Sequence, residues 1–131
     1  MEAEAAARRW RDAWSQAWPE HDVDQIAALY TEDAIFRSAP VREPHRGASG
    51  VAEYARWAFE QEEAVEVRFG EPVASGNRAA VEYWAIVRSE GKEETLAGVS
   101  ILRFAPEGRV EEERGYWIVK KRHPPPDGWG K

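Results

Sequence analysis

The sequence predicts an α+β domain, helices first and a curved, mostly antiparallel sheet after them, and three observations carry that prediction. Apolar residues recur at three- and four-residue steps through the first half of the chain, the period of helices buried on one face. From Val65 onward the period falls to two, and the alternating runs are separated by short turns bearing Gly76, Gly91 and Gly108. Helices gathered on one side of a meander make the α+β pattern. The 131 residues, 43% hydrophobic and 32% charged, have the composition of a globular chain with one core.

The first helix is long. Ala3, Ala6, Trp10, Ala13, Trp14, Ala17 and Trp18 form its apolar face, Glu4 and Arg8, then Arg8 and Asp12, are spaced to pair outside, and Pro19 is the expected stop. A second, short helix begins at the N-cap Asp22, with Gln25 three residues on as in a capping box, and buries Ile26, Leu29 and Tyr30. Residues 34–38 read as a strand, followed by a loop punctuated by Pro40, Pro44 and Gly47. Ser49 is placed to cap a third helix, whose Val51, Tyr54, Ala55, Ala58 and Phe59 share one face. Strands follow over about 65–69, 79–88, 94–104 and 109–119. Residues 1–119 therefore form one domain, and the Pro- and Gly-rich stretch 120–131 forms a tail beyond the sheet.

Several strands are apolar on both faces. Val81, Tyr83, Ala85 and Val87 lie on one side of their strand, Trp84 and Ile86 on the other. Trp84, Ile86, Val99 and Ile101 on the face away from the helices predict a homodimer packed through the outer sheet face.

A net charge of −6 argues against nucleic acid and gives no attraction to anionic lipid. No apolar run has the length of a membrane span, and MEAEAAARRW lacks a signal-peptide core, so a cytoplasmic protein is expected. The absence of cysteine removes disulfides, thiolate nucleophiles and Cys-based metal sites. His21, His45 and His123 have no metal-ligand spacing, and the chain contains no phosphate-binding Gly-rich loop, GxSxG elbow or HExxH; neither metal nor cofactor is expected. The seven tryptophans suit either a core with large voids to fill or a pocket walled by aromatics.

The run HDVDQIAALYTEDAIFRSAPVREPHRGASGVAEYARW, residues 21–57, resembles the SnoaL-like and ketosteroid isomerase-like branch of the nuclear transport factor 2-like superfamily. Asp22-x-Asp24-x-x-Ile26-x-x-Leu29-Tyr30, Asp33-Ala34, the Pro loop with Gly47, and the helix holding Glu53 and Tyr54 carry it. The strand ending ILRF, the turn PEGRV and the final EERGYW extend the likeness to about residue 119. The resemblance implies a cone: a curved sheet wrapped around the long N-terminal helix, with two further helices and a ligand entering at the open end.

In ketosteroid isomerases a carboxylate base faces an oxyanion hole of a tyrosine and a protonated aspartate. The resemblance places Ser38, Trp14 and Ser100 at those three positions, which argues against that activity. What it implies instead is a binding chamber for a small hydrophobic molecule, lined by Trp14, Phe36, Ser38, Tyr54, Tyr83, Ser100 and Trp117, with His45 at its mouth and Glu113 as candidate acid or base. Glu113 also belongs to the run Glu111–Arg114, which suits a solvated strand end, and His45 suits a solvated loop. Arg88 and Arg114 are expected to pair with glutamates on neighbouring strands. Two functions follow: a small-molecule-binding protein, possible acid–base chemistry on a hydrophobic or polycyclic substrate included, or a non-catalytic dimeric module whose pocket is filled by its own tryptophans.

Overall fold

A computed structural model describes all of residues 1–131. Its three helices and seven strands run α1 (Ala3–Glu20), α2 (Val23–Ala27), β1 (Tyr30–Arg37), β2 (His45–Arg46), α3 (Gly47–Gln61), β3 (Glu63–Phe69), β4 (Val73–Ser75), β5 (Arg78–Ser89), β6 (Lys92–Phe104) and β7 (Val110–Lys121).

The period of α1 buries Ala6, Ala7, Trp10, Trp14 and Ala17. Pro19 lies within the last turn, and the stop is made two residues later. His21 adopts the left-handed conformation (φ 56°), its N–H reaches the Trp18 carbonyl at 3.2 Å, and the Asp22 N–H reaches that of Ala17 at 3.0 Å, a Schellman ending. Arg8 pairs with Glu4 and Glu71, while Asp12 pairs with Arg11 instead. The Asp22 carboxylate accepts the Gln25 N–H at 3.1 Å and so caps α2 as expected. The Gln25 side chain turns to Gln16, 3.2 Å away, so the capping box is half made.

Two boundaries differ from the periodicity. Tyr30 continues the i, i+4 pattern from Ile26, but α2 ends at Ala27 and Tyr30 opens β1. Pairing decides this: the Val110 N–H bonds the Leu29 carbonyl at 2.8 Å, and Tyr30 sits opposite Val110. The third helix starts at Gly47, two residues ahead of Ser49. Gly47 has φ 72°, and a Cβ there would stand 2.4 Å from the Glu32 carbonyl oxygen, so only glycine fits where the chain turns from β2 into α3.

The curved sheet has the order β2-β1-β7-β6-β5-β3, with β4 beside β5; β1 and β7 are parallel and the other pairs antiparallel. Irregularities in β3 and β7 add local twist. α1 packs against β3, β4, β5 and β6, α3 against β1 and β2, and α2 between the other helices. No helix is long and apolar enough to cross a membrane.

On the outer sheet face, two of the four residues expected at a dimer contact are already engaged. Ile86 is 2% exposed. Trp84 is covered by the tail: its Nε1 donates to the His123 carbonyl at 2.9 Å, and Trp129 meets its ring edge-on at 6.0 Å. The tail then reaches β3's end, where Glu71 N–H bonds the Gly130 carbonyl at 2.9 Å. Val99 and Ile101 remain half-buried, beside Tyr116 and Ile118 at 43% and 62% exposure. Arg88 pairs with Glu63 and Glu93, but Arg114 has no acidic partner, and its Nε is buried without a hydrogen bond.

Candidate functional site

Between α1, α3 and the inner sheet face lies a cavity of about 190 Å³, lined mostly by apolar and aromatic side chains. One wall is an aromatic row on α1, where Trp10, Trp14 and Trp18 at four-residue spacing stand 6.1 and 6.0 Å apart, centroid to centroid. Phe69 and Tyr83 extend it onto the sheet, 5.7 Å from Trp10 and 6.2 Å from Trp18. The row lines the cavity without filling it, and Trp10 and Trp14 stand at the end that holds Tyr30.

At that end Tyr30 and Glu113 form a buried hub. The Tyr30 hydroxyl accepts the indole N–H groups of Trp10 (3.1 Å) and Trp14 (3.2 Å) and donates to Glu113 Oε1 at 2.5 Å. Ser100 donates to Glu113 Oε2 at 3.0 Å. The hydroxyl's one donor and two acceptor sites are thus all used. Glu113 is 5% exposed, lines the cavity, and has no cation within salt-bridge distance. Burial pushes its pKa up to about 7 against the opposing pull of the hydrogen bonds from Tyr30 and Ser100. Burial, and then the nearby Glu113 charge, push the Tyr30 hydroxyl well above its ordinary range, so the shared proton resides on the phenol.

β7 carries a bulge just ahead of this carboxylate. Leu102 pairs with Glu113 and Arg103 with Glu112, but Phe104 pairs with Val110, so Glu111 is the extra residue. Strict alternation would set Val110 and Glu113, three apart, on opposite faces. The bulge lets both be buried while Glu111 and Glu112 meet Arg103 outside. The acidic run is therefore split between a solvated pair and one buried acid.

The rim is built differently. Arg42 lies over the rings of Trp57 and Trp117, 5.8 and 5.3 Å from their centroids, and donates from Nη1 to Ser38 Oγ at 3.1 Å. Trp117 is fixed by its own N–H bond to the Ser38 carbonyl at 2.6 Å. Opposite, Glu62 accepts the Trp18 N–H at 3.0 Å, and burial raises its pKa. Burial also raises Tyr54, while nearby Arg42 pulls the other way, and it raises Tyr83 strongly, so both phenols stay protonated.

Of the residues singled out by sequence, Trp14, Phe36, Ser38, Tyr54, Tyr83, Ser100, Glu113 and Trp117 line this one cavity. His45 does not. It belongs to β2, and its ring packs behind the wall, 5.3 Å from Tyr54 and 6.3 Å from Phe36. Sequence reasoning missed the hub hydroxyl of Tyr30, the rim cation Arg42 and the rim acid Glu62. The β-propensity of Tyr30-Thr31 ahead of Ile35-Phe36 is the signal that could have drawn Tyr30 into the strand. Arg42, a single basic residue in a Pro-punctuated loop, carries no such signal.

A family model described as a SnoaL-like domain matches residues 7–113, from the first turns of α1 to the buried glutamate itself.

Proposed function

The chain belongs to the SnoaL-like family, within the nuclear transport factor 2-like superfamily, and on that premise we propose that it binds a small, mostly apolar molecule in the cone and exchanges a proton with it through Glu113. One observation carries this: a carboxyl 5% exposed, without a counter-ion, lines an aromatic cavity. Burying an unpaired charge is costly, and a core position would be served better by an apolar side chain. With its pKa near 7, Glu113 is poised at neutral pH to take a proton as carboxylate and return it as acid. Tyr30 and Ser100 hold both oxygens in place at the cavity wall.

The cavity's size sets the ligand's. A cavity of about 150 Å³ holds benzene, so about 190 Å³ suits one substituted ring rather than a polycycle. Trp14, Ser38 and Ser100 stand where the isomerases need a tyrosine and two carboxyls, which speaks against ketosteroid isomerisation.

A panel of one-ring ketones, phenols and acids, followed by tryptophan fluorescence, tests the reading. At least one member should quench saturably, and a bound ketone should exchange its α-hydrogens with D₂O faster than in buffer alone, seen by proton NMR. Glu113→Gln should keep binding and lose the acceleration by at least about 100-fold, the usual worth of a positioned acid or base. No binding across the panel, or undiminished exchange in the variant, would overturn it. Self-association through what remains free of the outer face, Val99, Ile101, Tyr116 and Ile118, is proposed alongside. Sedimentation should show a dimer that Ile118→Glu converts to monomer; a wild-type monomer would end that proposal.

A further inference from the structure

Arg42 is the only cation lining the cavity, whose other charged side chains are Glu62 and Glu113. Arg8, Arg11, Arg68, Arg88, Arg103, Arg109 and Arg122 each meet a carboxylate within 4.0 Å, as expected in a chain of net charge −6. Arg42 meets none. It is held instead by two aromatic faces and one hydroxyl, partners that position a guanidinium without neutralising it.

Three elements converge to place it. Arg42 comes from the loop after β1, Trp57 from α3 and Trp117 from β7, and Ser38 ties the arrangement together by accepting from Arg42 at its hydroxyl and from Trp117 at its carbonyl. A guanidinium has five N–H donors in a planar fork, and one is spent on Ser38. The others are left at the rim of the cavity it lines. Because the fork is already stacked between two rings, little freedom is lost when an anion docks, which favours recognition.

Resting on the reading of the cavity as a ligand site, we propose that Arg42 anchors a carboxylate on the ligand, so that the molecule bound is a small carboxylic acid with one apolar ring. The anion sits at the rim on the guanidinium fork, and the ring enters the cavity toward Glu113. Arg42 attracts the anion at one point while the carboxylates of Glu62 and Glu113 repel it from the other walls, so the three charges together set its direction. A neutral isostere of the acid has the same ring and loses only the charge-assisted pair.

Matched pairs test this: benzoate against benzamide and phenylacetate against phenylacetamide, titrated at pH 7.5 into the wild type, Arg42→Gln and Arg42→Lys, with affinity read by calorimetry. The wild type should bind each acid at least about tenfold tighter than its amide, the difference of one charge-assisted contact. Arg42→Gln should bring the acid's affinity down to that of the amide, and Arg42→Lys should retain part of the preference because it keeps the charge and loses the fork. The acid's affinity should also fall as salt rises, the amide's not. Equal binding of acid and amide by the wild type would overturn the anchor and leave the cavity reading intact, as would an undiminished preference in Arg42→Gln. Failure of all four compounds to bind the wild type would overturn the anchor, and failure of the ketones and phenols as well would remove the cavity reading.

Discussion

At the scale of single residues, the protein turns on a carboxyl held where it is expensive to ionise. Glu113 moves from an ordinary 4.5 to about 7 because burial strips its hydration faster than two hydroxyls replace it. The folded state therefore binds a proton that the unfolded state releases between those values. Stability from this group is unaffected below pH 4.5, falls as pH rises from 4.5 to 7, and is level above. The loss amounts to about 3 kcal/mol, and Glu113→Gln removes it. Urea unfolding at pH 4.5 and pH 8 should show wild-type stability dropping relative to the variant by roughly that amount. Parallel pH profiles would mean the carboxyl titrates normally. Tyr30→Phe leaves the indole N–H groups of Trp10 and Trp14 without their acceptor and Glu113 with one donor fewer. A destabilisation of about 2–4 kcal/mol is expected at pH 5 in chemical denaturation. A loss under about 1 kcal/mol would show that water replaces the phenol.

At the scale of elements, local pattern and tertiary pairing disagree at two places, and both serve the site. Ile26, Leu29 and Tyr30 spell a helix face, yet Tyr30 is drawn into β1 by pairing with β7, which carries its hydroxyl to the hub. The alternation of β7 is broken at Glu111, and the break lets Val110 be buried on the same side as Glu113. A residue 80 positions away in sequence decides the first case and leaves no mark in periodicity; in the second, alternation from Trp117 through Gly115 already places Glu113, and only the burial of Val110 depends on the one-residue misfit between strands. Gly47 is the corresponding hinge between β2 and α3. Gly47→Ala meets both a positive φ and the Glu32 carbonyl at 2.4 Å, so it should cost more than about 2 kcal/mol in thermal or urea unfolding. A near-neutral result would mean the turn can be rebuilt with an ordinary backbone.

At the scale of the whole molecule, the tail works as a strap across the outer sheet face. It satisfies the Trp84 indole, sets Trp129 edge-on against it, and closes on Glu71. Deleting residues 123–131 should lower stability by about 1–3 kcal/mol and shift Trp84 emission to the red. Unchanged emission would show that the strap is not closed in solution. The α+β class, the helix and strand order, the family, and the inward parity that assembles Trp14, Ser38, Tyr83, Ser100 and Trp117 with Glu113 are legible in the amino-acid order alone, because burial imposes periods of 3.6 and 2 wherever one face meets the core. Folding in three dimensions is what sets Tyr30 and Ser100 on Glu113, Arg42 without a carboxylate over two indoles, His45 behind the wall, and the tail over Trp84. Those contacts join residues far apart in sequence through single hydrogen bonds and ring edges, and such pairings carry no period.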